Sequence, residues 1–224
     1  VSLRTWTRTF VGGRLATGMA ALNARHPWSH NDHFHGWILA NLPDRRRTAL
    51  DVGCGEGGLL AALAPYVDEV HGTDVDPEMR RRAAERCSGL ANVTVDDEPW
   101  AARRGPYDVV TMVAVLHHLD EAEALQDARR LLAPGGRLLA VGLARPVSAV
   151  DHLWDAASIL TNPLIGYVKH PWRTRIPVPP PAYAVLEPTL PLRELRTLVH
   201  EAMPGADVRH RLGFRHTIAW TRPE

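Results

Sequence analysis

Lysine is almost missing from this chain: Lys169 is the only one among 26 basic residues, and the rest are arginine. Basic and acidic residues balance to a formal net charge of +1. No global field therefore draws nucleic acid or an anionic membrane. Only Cys54 and Cys87 carry thiols, too few for a disulfide framework and suited to a reducing, cytoplasmic setting. No apolar run approaches the roughly 20 residues of a membrane span. The first residues lack the apolar core of a secretory leader, because Arg4, Arg8 and Arg14 interrupt them. No metal site is expected. His26, His30 and His33 would share a helix face, but Pro27 breaks that helix, and no cysteine or carboxylate stands at a zinc spacing. Neither an internal repeat nor a second domain is evident, and 224 residues suffice for one α/β domain.

What the chain has in abundance is one local pattern, Ala-Leu-Asp-Val-Gly-Cys-Gly-Glu-Gly-Gly at residues 49–58. An apolar run from Thr48 to Leu50 enters it, Asp51 closes that run, and Gly53, Gly55 and Gly57 follow at alternate positions. A helical stretch, Leu59 to Leu63, leaves it. Strand, glycine turn and helix make a cradle for a nucleoside-containing cofactor, because glycine lets the backbone turn tightly and the ligand approach closely. A dinucleotide fingerprint would read G-x-G-x-x-G. Here the spacing is G-x-G-x-G with an acid two residues ahead, which suits a cofactor that carries an ammonium group.

Around this loop, strands and helices alternate. Strands are expected at about Thr48–Val52, Glu69–Thr73, Asn92–Val95, Tyr107–Val113 and Arg137–Gly142. Helices are expected at Gly58–Ala64, Pro77–Cys87 and Glu121–Leu132, and Pro134-Gly135-Gly136 reads as a turn. The largely apolar run at 107–113 is that of a strand buried on both faces. Such alternation implies a parallel sheet with helices on both sides. A short helix is also expected at Ile38–Leu42, ended by Pro43. From about residue 145 to 191 the pattern breaks. This stretch holds Pro179-Pro180-Pro181 with Trp154, Tyr167, Trp172 and Tyr183, too apolar for a disordered linker and too proline-rich for a regular element. A helix follows at Pro191–Ala202, then a hairpin of Asp207–Leu212 and His216–Thr221 around Gly213-Phe214-Arg215.

Asp51, Gly53, Cys54, Gly55 and Gly57 resemble motif I of the class I S-adenosylmethionine (SAM) methyltransferases. That resemblance implies an α/β, Rossmann-like fold: a mostly parallel seven-stranded sheet with an antiparallel C-terminal hairpin and helices on both faces. In open α/β sheets ligands sit beyond the carboxyl ends of the strands. By resemblance, the first loop lines the methionyl part of SAM and Asp51 holds its amino end. Asp74, at the end of the second strand, accepts hydrogen bonds from the ribose hydroxyls, and Val75 lies against adenine. Capping of the next helix is the alternative for Asp74, although Asp76, just before Pro77, is the better cap. Either Asp96 or Asp97 would meet the adenine amino group; a solvated acidic turn is the other reading.

The segment after the fourth strand, Val113-Ala114-Val115-Leu116-His117-His118, is similar to that of the members that methylate small molecules. It contains neither an Asn-Pro-Pro-Tyr type pattern nor a Pro-Cys nucleophile, so nucleic acid is not the expected substrate. His117 stands where a base could take a proton from the acceptor; alternatively it only packs in the loop. The cluster His30–Trp37 resembles a lid in which Phe34 faces SAM and His30, Asn31, His33 and His35 offer polar contacts. The arginine triplets Arg45–Arg47 and Arg80–Arg82 read as solvated surface. The expected whole is one domain over 1–224, with residues 1–47 as an N-terminal lid and 145–190 as a substrate-side insertion. Its expected reaction is methyl transfer from SAM to O, N or C of an apolar or aromatic small molecule. The alternative is a SAM-binding protein with a non-methylating role, a cyclisation or a regulatory module.

Overall fold

A computed structural model describes residues 31–169 and 186–224, apart from the side chains of residues 163, 164 and 169. After a 3-10 turn at Asp32–Phe34 the chain runs α1 (His35–Ala40), β1 (Thr48–Val52), α2 (Gly58–Leu63), β2 (Glu69–Thr73), α3 (Pro77–Cys87), β3 (Val93–Asp96) and β4 (Tyr107–Val113). Then follow α4 (Glu121–Leu131), β5 (Leu132–Gly142), α5 (Ala149–Lys169), α6 (Leu192–Ala202), β6 (Asp207–Arg211) and β7 (Arg215–Thr221). One seven-stranded sheet has the order β3-β2-β1-β4-β5-β7-β6. β1 to β5 pair in parallel, while β7 lies antiparallel between β5 and β6. This is the sheet that the resemblance to class I methyltransferases implies.

Strand alternation decides which side chains meet which helices. Leu50, Val110, Met112, Leu138 and Ile218 face one way and form a core with Leu125 of α4 and Leu195 and Val199 of α6. Ala49, Val109, Leu139 and Val141 face the other way, against Ile38 of α1, Leu60 of α2 and Ala83 of α3. The strand order reverses at β1 and β4, so the crevice outside their carboxyl ends is where this architecture receives a ligand. Asp76 caps α3 by accepting from the Glu78 N–H at 2.8 Å, and Asp120 caps α4 by accepting from the Glu123 N–H at 2.9 Å.

Besides the short first helix, which runs His35–Ala40 where Ile38–Leu42 was expected, three expectations need correction. β3 begins and ends one residue later than its sequence pattern suggests, so Asp96 is its last residue. β5 starts at Leu132, and Pro134-Gly135-Gly136 forms a bulge within it. Its register against β4 jumps from Tyr107↔Leu132 to Val109↔Arg137, and a Cβ on Gly136 would lie 2.9 Å from the Ala133 and Tyr107 carbonyl oxygens.

The third correction is the largest. Residues 149–169, expected to be irregular, form the 21-residue helix α5. Its start is a capping box: the Asp151 N–H donates to Ser148 Oγ at 3.1 Å, and the Ser148 N–H donates to Asp151 Oδ2 at 2.8 Å. The inward face of α5 is polar, with Asp155, Ser158 and Asn162 buried, while Leu153 and Leu160 are 68% and 73% exposed. The polar face docks on the hairpin turn, where Ser158 Oγ accepts from the Gly213 N–H at 3.1 Å and the Phe214 N–H at 3.3 Å. Trp154 stacks on His210 of β6 at 5.7 Å. Ser158→Ala strands both N–H groups and should destabilise the protein by about 1–3 kcal/mol. Urea unfolding measures it, and an unchanged midpoint would mean that water satisfies the turn.

Candidate functional site

The glycine loop is fastened to the end of β2. The Gly53 and Cys54 N–H groups donate to the Thr73 carbonyl at 2.9 and 3.0 Å, and the Gly57 N–H donates to the Cys54 carbonyl at 2.9 Å. Gly53, Gly55 and Gly57 have φ of +70°, +53° and +76°, a region that favours glycine. A Cβ on Gly53 would lie 2.6 Å from Val115 Cγ2, and one on Gly57 would lie 2.9 Å from Ala83 Cα. A Cβ on Gly55 would meet no atom within 4 Å. The outer two glycines thus serve the protein's own packing, and the middle one faces open space.

Asp51 is 2% exposed at the end of β1. Its carboxylate accepts from Thr111 Oγ1 at 2.7 Å. Burial pushes its pKa up to about 7; the Thr111 bond opposes this and the nearby Asp74 adds to it. An ammonium placed beside Asp51 would relieve that cost, which is the fit expected for an amino-acid-bearing cofactor. Asp74 holds the loop from the other side: its Oδ2 accepts from the Gly55 N–H and its Oδ1 from the Asp76 N–H, each at 2.9 Å. The helix cap is Asp76. Next to Asp74, Val75 is 98% exposed, an apolar platform at the crevice. Cys54 is buried, and burial with Asp51 and Asp74 pushes its thiol up, so it stays protonated.

Asp96 is ion-paired to the buried Arg103 and accepts from the Glu98 N–H at 3.0 Å. Asp97 is exposed beside it. At the end of β4, Val113 is half-buried and Ala114 takes φ +57°, strain of the kind that clusters at functional sites. Val115 then packs on Gly53, and His117 follows in a 3-10 turn at Leu116–His118. Burial, His118 and Arg215 lower the His117 pKa to about 4.

Phe34 is buried in the core with Cys54 and Leu59. A Cβ on Gly58, the first residue of α2, would lie 3.4 Å from His35 Cε1. Asn31 Oδ1 accepts from Arg215 Nη2 of β7 at 3.0 Å. The N-terminal segment therefore spans from α2 to the hairpin. His26 and His30, with Trp172 and Tyr183 of the proline-rich stretch, lie outside the described residues. Among the described residues no three His, Cys, Asp or Glu side chains gather as a metal site. The arginine triplets are partly tied down: Arg45 bonds Asp108 at 2.6 Å and Arg82 bonds Glu56 at 2.8 Å.

Sequence reading overlooked Thr111 and His216. Thr111 is the one aliphatic hydroxyl in the stretch 107–113, and parallel register sets it beside Asp51. His216 is in phase with Ile218 and Trp220, which join the core shared with α6, on a strand buried on both faces.

A family model described as a methyltransferase domain matches residues 50–138. An uncharacterized methyltransferase of Mycobacterium tuberculosis is 32% identical over 206 residues, covering 88% of this chain and 98% of that protein. A trans-aconitate 2-methyltransferase of Methylobacterium radiotolerans is 35% identical over 139 residues, 60% of this chain and 52% of that one. Among solved structures, a SAM-dependent methyltransferase from Aquifex aeolicus superposes with a TM-score of 0.54 at 21% identity, over 84% of this chain and 88% of that chain.

Proposed function

Because this chain belongs to the methyltransferase family and folds as its class I SAM-dependent members do, we propose that it transfers the methyl group of SAM to O, N or C of a small-molecule acceptor. The observation that carries the reading is the buried Asp51 carboxylate beside a glycine loop whose middle residue opens on free space. SAM, when bound, supplies an electrophilic methyl group already activated by its sulfonium.

The chain's own residues then bind and orient. Asp51 and the backbone of Gly53–Gly57 hold the amino-acid end. Asp74 receives the ribose hydroxyls, Val75 and Val113 flank the adenosine, and Asp96 or Asp97 meets the adenine amino group. Phe34 backs the loop from the N-terminal side. His117 stands nearest the acceptor. Within the described residues, the N-terminal segment from Asn31 and helix α5 flank the acceptor in this reading, supported by the Asn31–Arg215 bond and by Trp154 on His210. The relative named for trans-aconitate supports a small molecule as acceptor. Nucleic acid is not the substrate in this reading, and the protein works in the cytoplasm. No helix among the described residues is long and apolar enough to cross a membrane.

Calorimetry with S-adenosylhomocysteine (SAH) and with NAD tests the reading. SAH should bind and NAD should not; the opposite result would sink it. Asp74→Ala should weaken SAH at least about tenfold, because it removes the ribose acceptor and the brace on Gly55 together. Unchanged affinity would make Asp74 a local brace only.

A further inference from the structure

We infer that the outward face of α5 pairs with the same face of a second copy of this chain, antiparallel, about a two-fold axis between residues 158 and 159. The pairing is independent of the methyl-transfer reading. α5 turns its polar side to the protein, where Asp155, Ser158 and Asn162 are buried. Its opposite side is apolar and open: Val150, Leu153, Leu160, Tyr167 and Val168 are each more than half exposed. From Ala156 to Val168 the sequence holds no charged residue. One exposed leucine is ordinary, but a continuous apolar stripe marks an interaction surface.

The spacing of the stripe points to a helix as its partner. Apolar residues fall at positions 150, 153, 157, 160, 164 and 167, alternately three and four apart. A repeat of about 3.5 residues is the seam of a helix pair, narrower than the stripe of a helix lying on a core. Antiparallel pairing matches this seam to itself. Position 150 falls opposite 167, 153 opposite 164 and 157 opposite 160, all about one axis, so the contact closes as a two-fold dimer. The small Ala157 near that axis lets the two backbones approach.

The ends are complementary as well. The first turn of α5 carries Asp151, and its last residue, Lys169, is the chain's only lysine. Antiparallel packing brings the acidic end of each helix to the basic end of the other and opposes the two macrodipoles, whereas a parallel pair sets like ends together. The exposed side chains of this face offer roughly 600 Å² per copy. Two copies bury about 1,200 Å², above the roughly 1,000 Å² that a specific interface needs. A lipid surface fits less well. A helix that lies in one carries lysine and arginine along its polar side, where α5 has Asp155, Ser158 and Asn162. Pairing braces α5 and, through Ser158, the 213–214 turn of the hairpin.

Sedimentation equilibrium on the full chain tests the pairing. The wild type should run at twice the chain's mass at concentrations on the order of 10 µM. Leu160→Glu puts a carboxylate into the seam from both copies and should weaken the dimer at least about a hundredfold. Its far-ultraviolet circular dichroism should stay that of the wild type, because Leu160 is exposed in the single chain. Orientation is read by cross-linking, since Cys54 and Cys87 are buried. A mixture of the Val150→Cys and Tyr167→Cys variants should form a disulfide-linked dimer under copper-catalysed air oxidation. Neither variant alone should, because like positions then stand about 25 Å apart. A monomeric wild type, undiminished dimerisation of Leu160→Glu, a missing mixed cross-link, or a cross-link within either cysteine variant alone would each overturn the inference. A monomer that floats with phosphatidylcholine vesicles would overturn it in favour of a lipid surface. A monomer whose melting temperature drops on Leu160→Glu would overturn it in favour of another part of the same chain.

Discussion

Gly55→Ala should abolish SAH binding at little cost to the fold, whereas Gly57→Ala should unfold the protein more readily. The two residues share a left-handed backbone, with φ of +53° and +76°. Either alanine therefore carries a strain of about 1–2 kcal/mol. Their surroundings separate them. The new methyl at residue 55 touches nothing within 4 Å and projects into open space, the space that the proposed reading gives to the cofactor. The methyl at residue 57 would lie 2.9 Å from Ala83 Cα and 3.0 Å from Ala83 Cβ, atoms of α3 that cannot rotate away. Overpacking of that kind adds about 1–3 kcal/mol. Thermal melts and SAH calorimetry on the two variants read both effects. Equal stability losses, or SAH binding retained by Gly55→Ala, would show that the middle glycine does not face the ligand.

The loop was legible in the sequence because its chemistry is local: a strand, an acid, glycines at fixed offsets and a helix. The five parallel strands were legible for the same reason, since an apolar run between turn residues reads alike in any context. Helix α5 was not. Its exposed Val150, Leu153 and Leu160 and its buried Asp155, Ser158 and Asn162 invert the usual amphipathic rule. Hydrophobic periodicity places the wrong face inward, and Pro163 reads as a stop. The readable signal was the Ser148–Asp151 capping box, a local feature that the concentration of prolines further along obscured. What turns the polar face inward is the need of the 213–214 turn for an acceptor, a contact 55 residues away in sequence. The site divides along the same line. Asp51, the three glycines and Asp74 sit on single elements and could be named. Thr111, Val115 and His216 matter only through the strand beside them, and register is invisible until the sheet is assembled.

Asp51→Asn should stabilise the free protein above neutral pH and weaken cofactor binding at the same time. Asp51 titrates near 7 in the fold, against an ordinary 3.8, mainly because it is buried. Between those values the folded chain keeps a proton that the unfolded chain has released. Stability therefore falls as pH rises from about 4 to about 7 and levels off above, by about 4 kcal/mol at most. Asparagine mimics the neutral acid, keeps a carbonyl for the Thr111 hydroxyl, and removes that decline. Melting temperature against pH should slope less in the variant, which should be the more stable protein at pH 8. The cofactor asks for the opposite. An ammonium beside a carboxylate gains a charge-assisted bond of about 1.5–3 kcal/mol, so the variant should bind SAH about ten- to a hundredfold more weakly. In the wild type, SAH affinity should climb from pH 5 to pH 8 as the proton leaves Asp51. A variant that is less stable at pH 8 and binds SAH as the wild type does would reduce Asp51 to an ordinary buried partner of Thr111. The opposed signs are what a binding site held at the expense of stability predicts, and neither desolvation alone nor a purely structural hydrogen bond produces both.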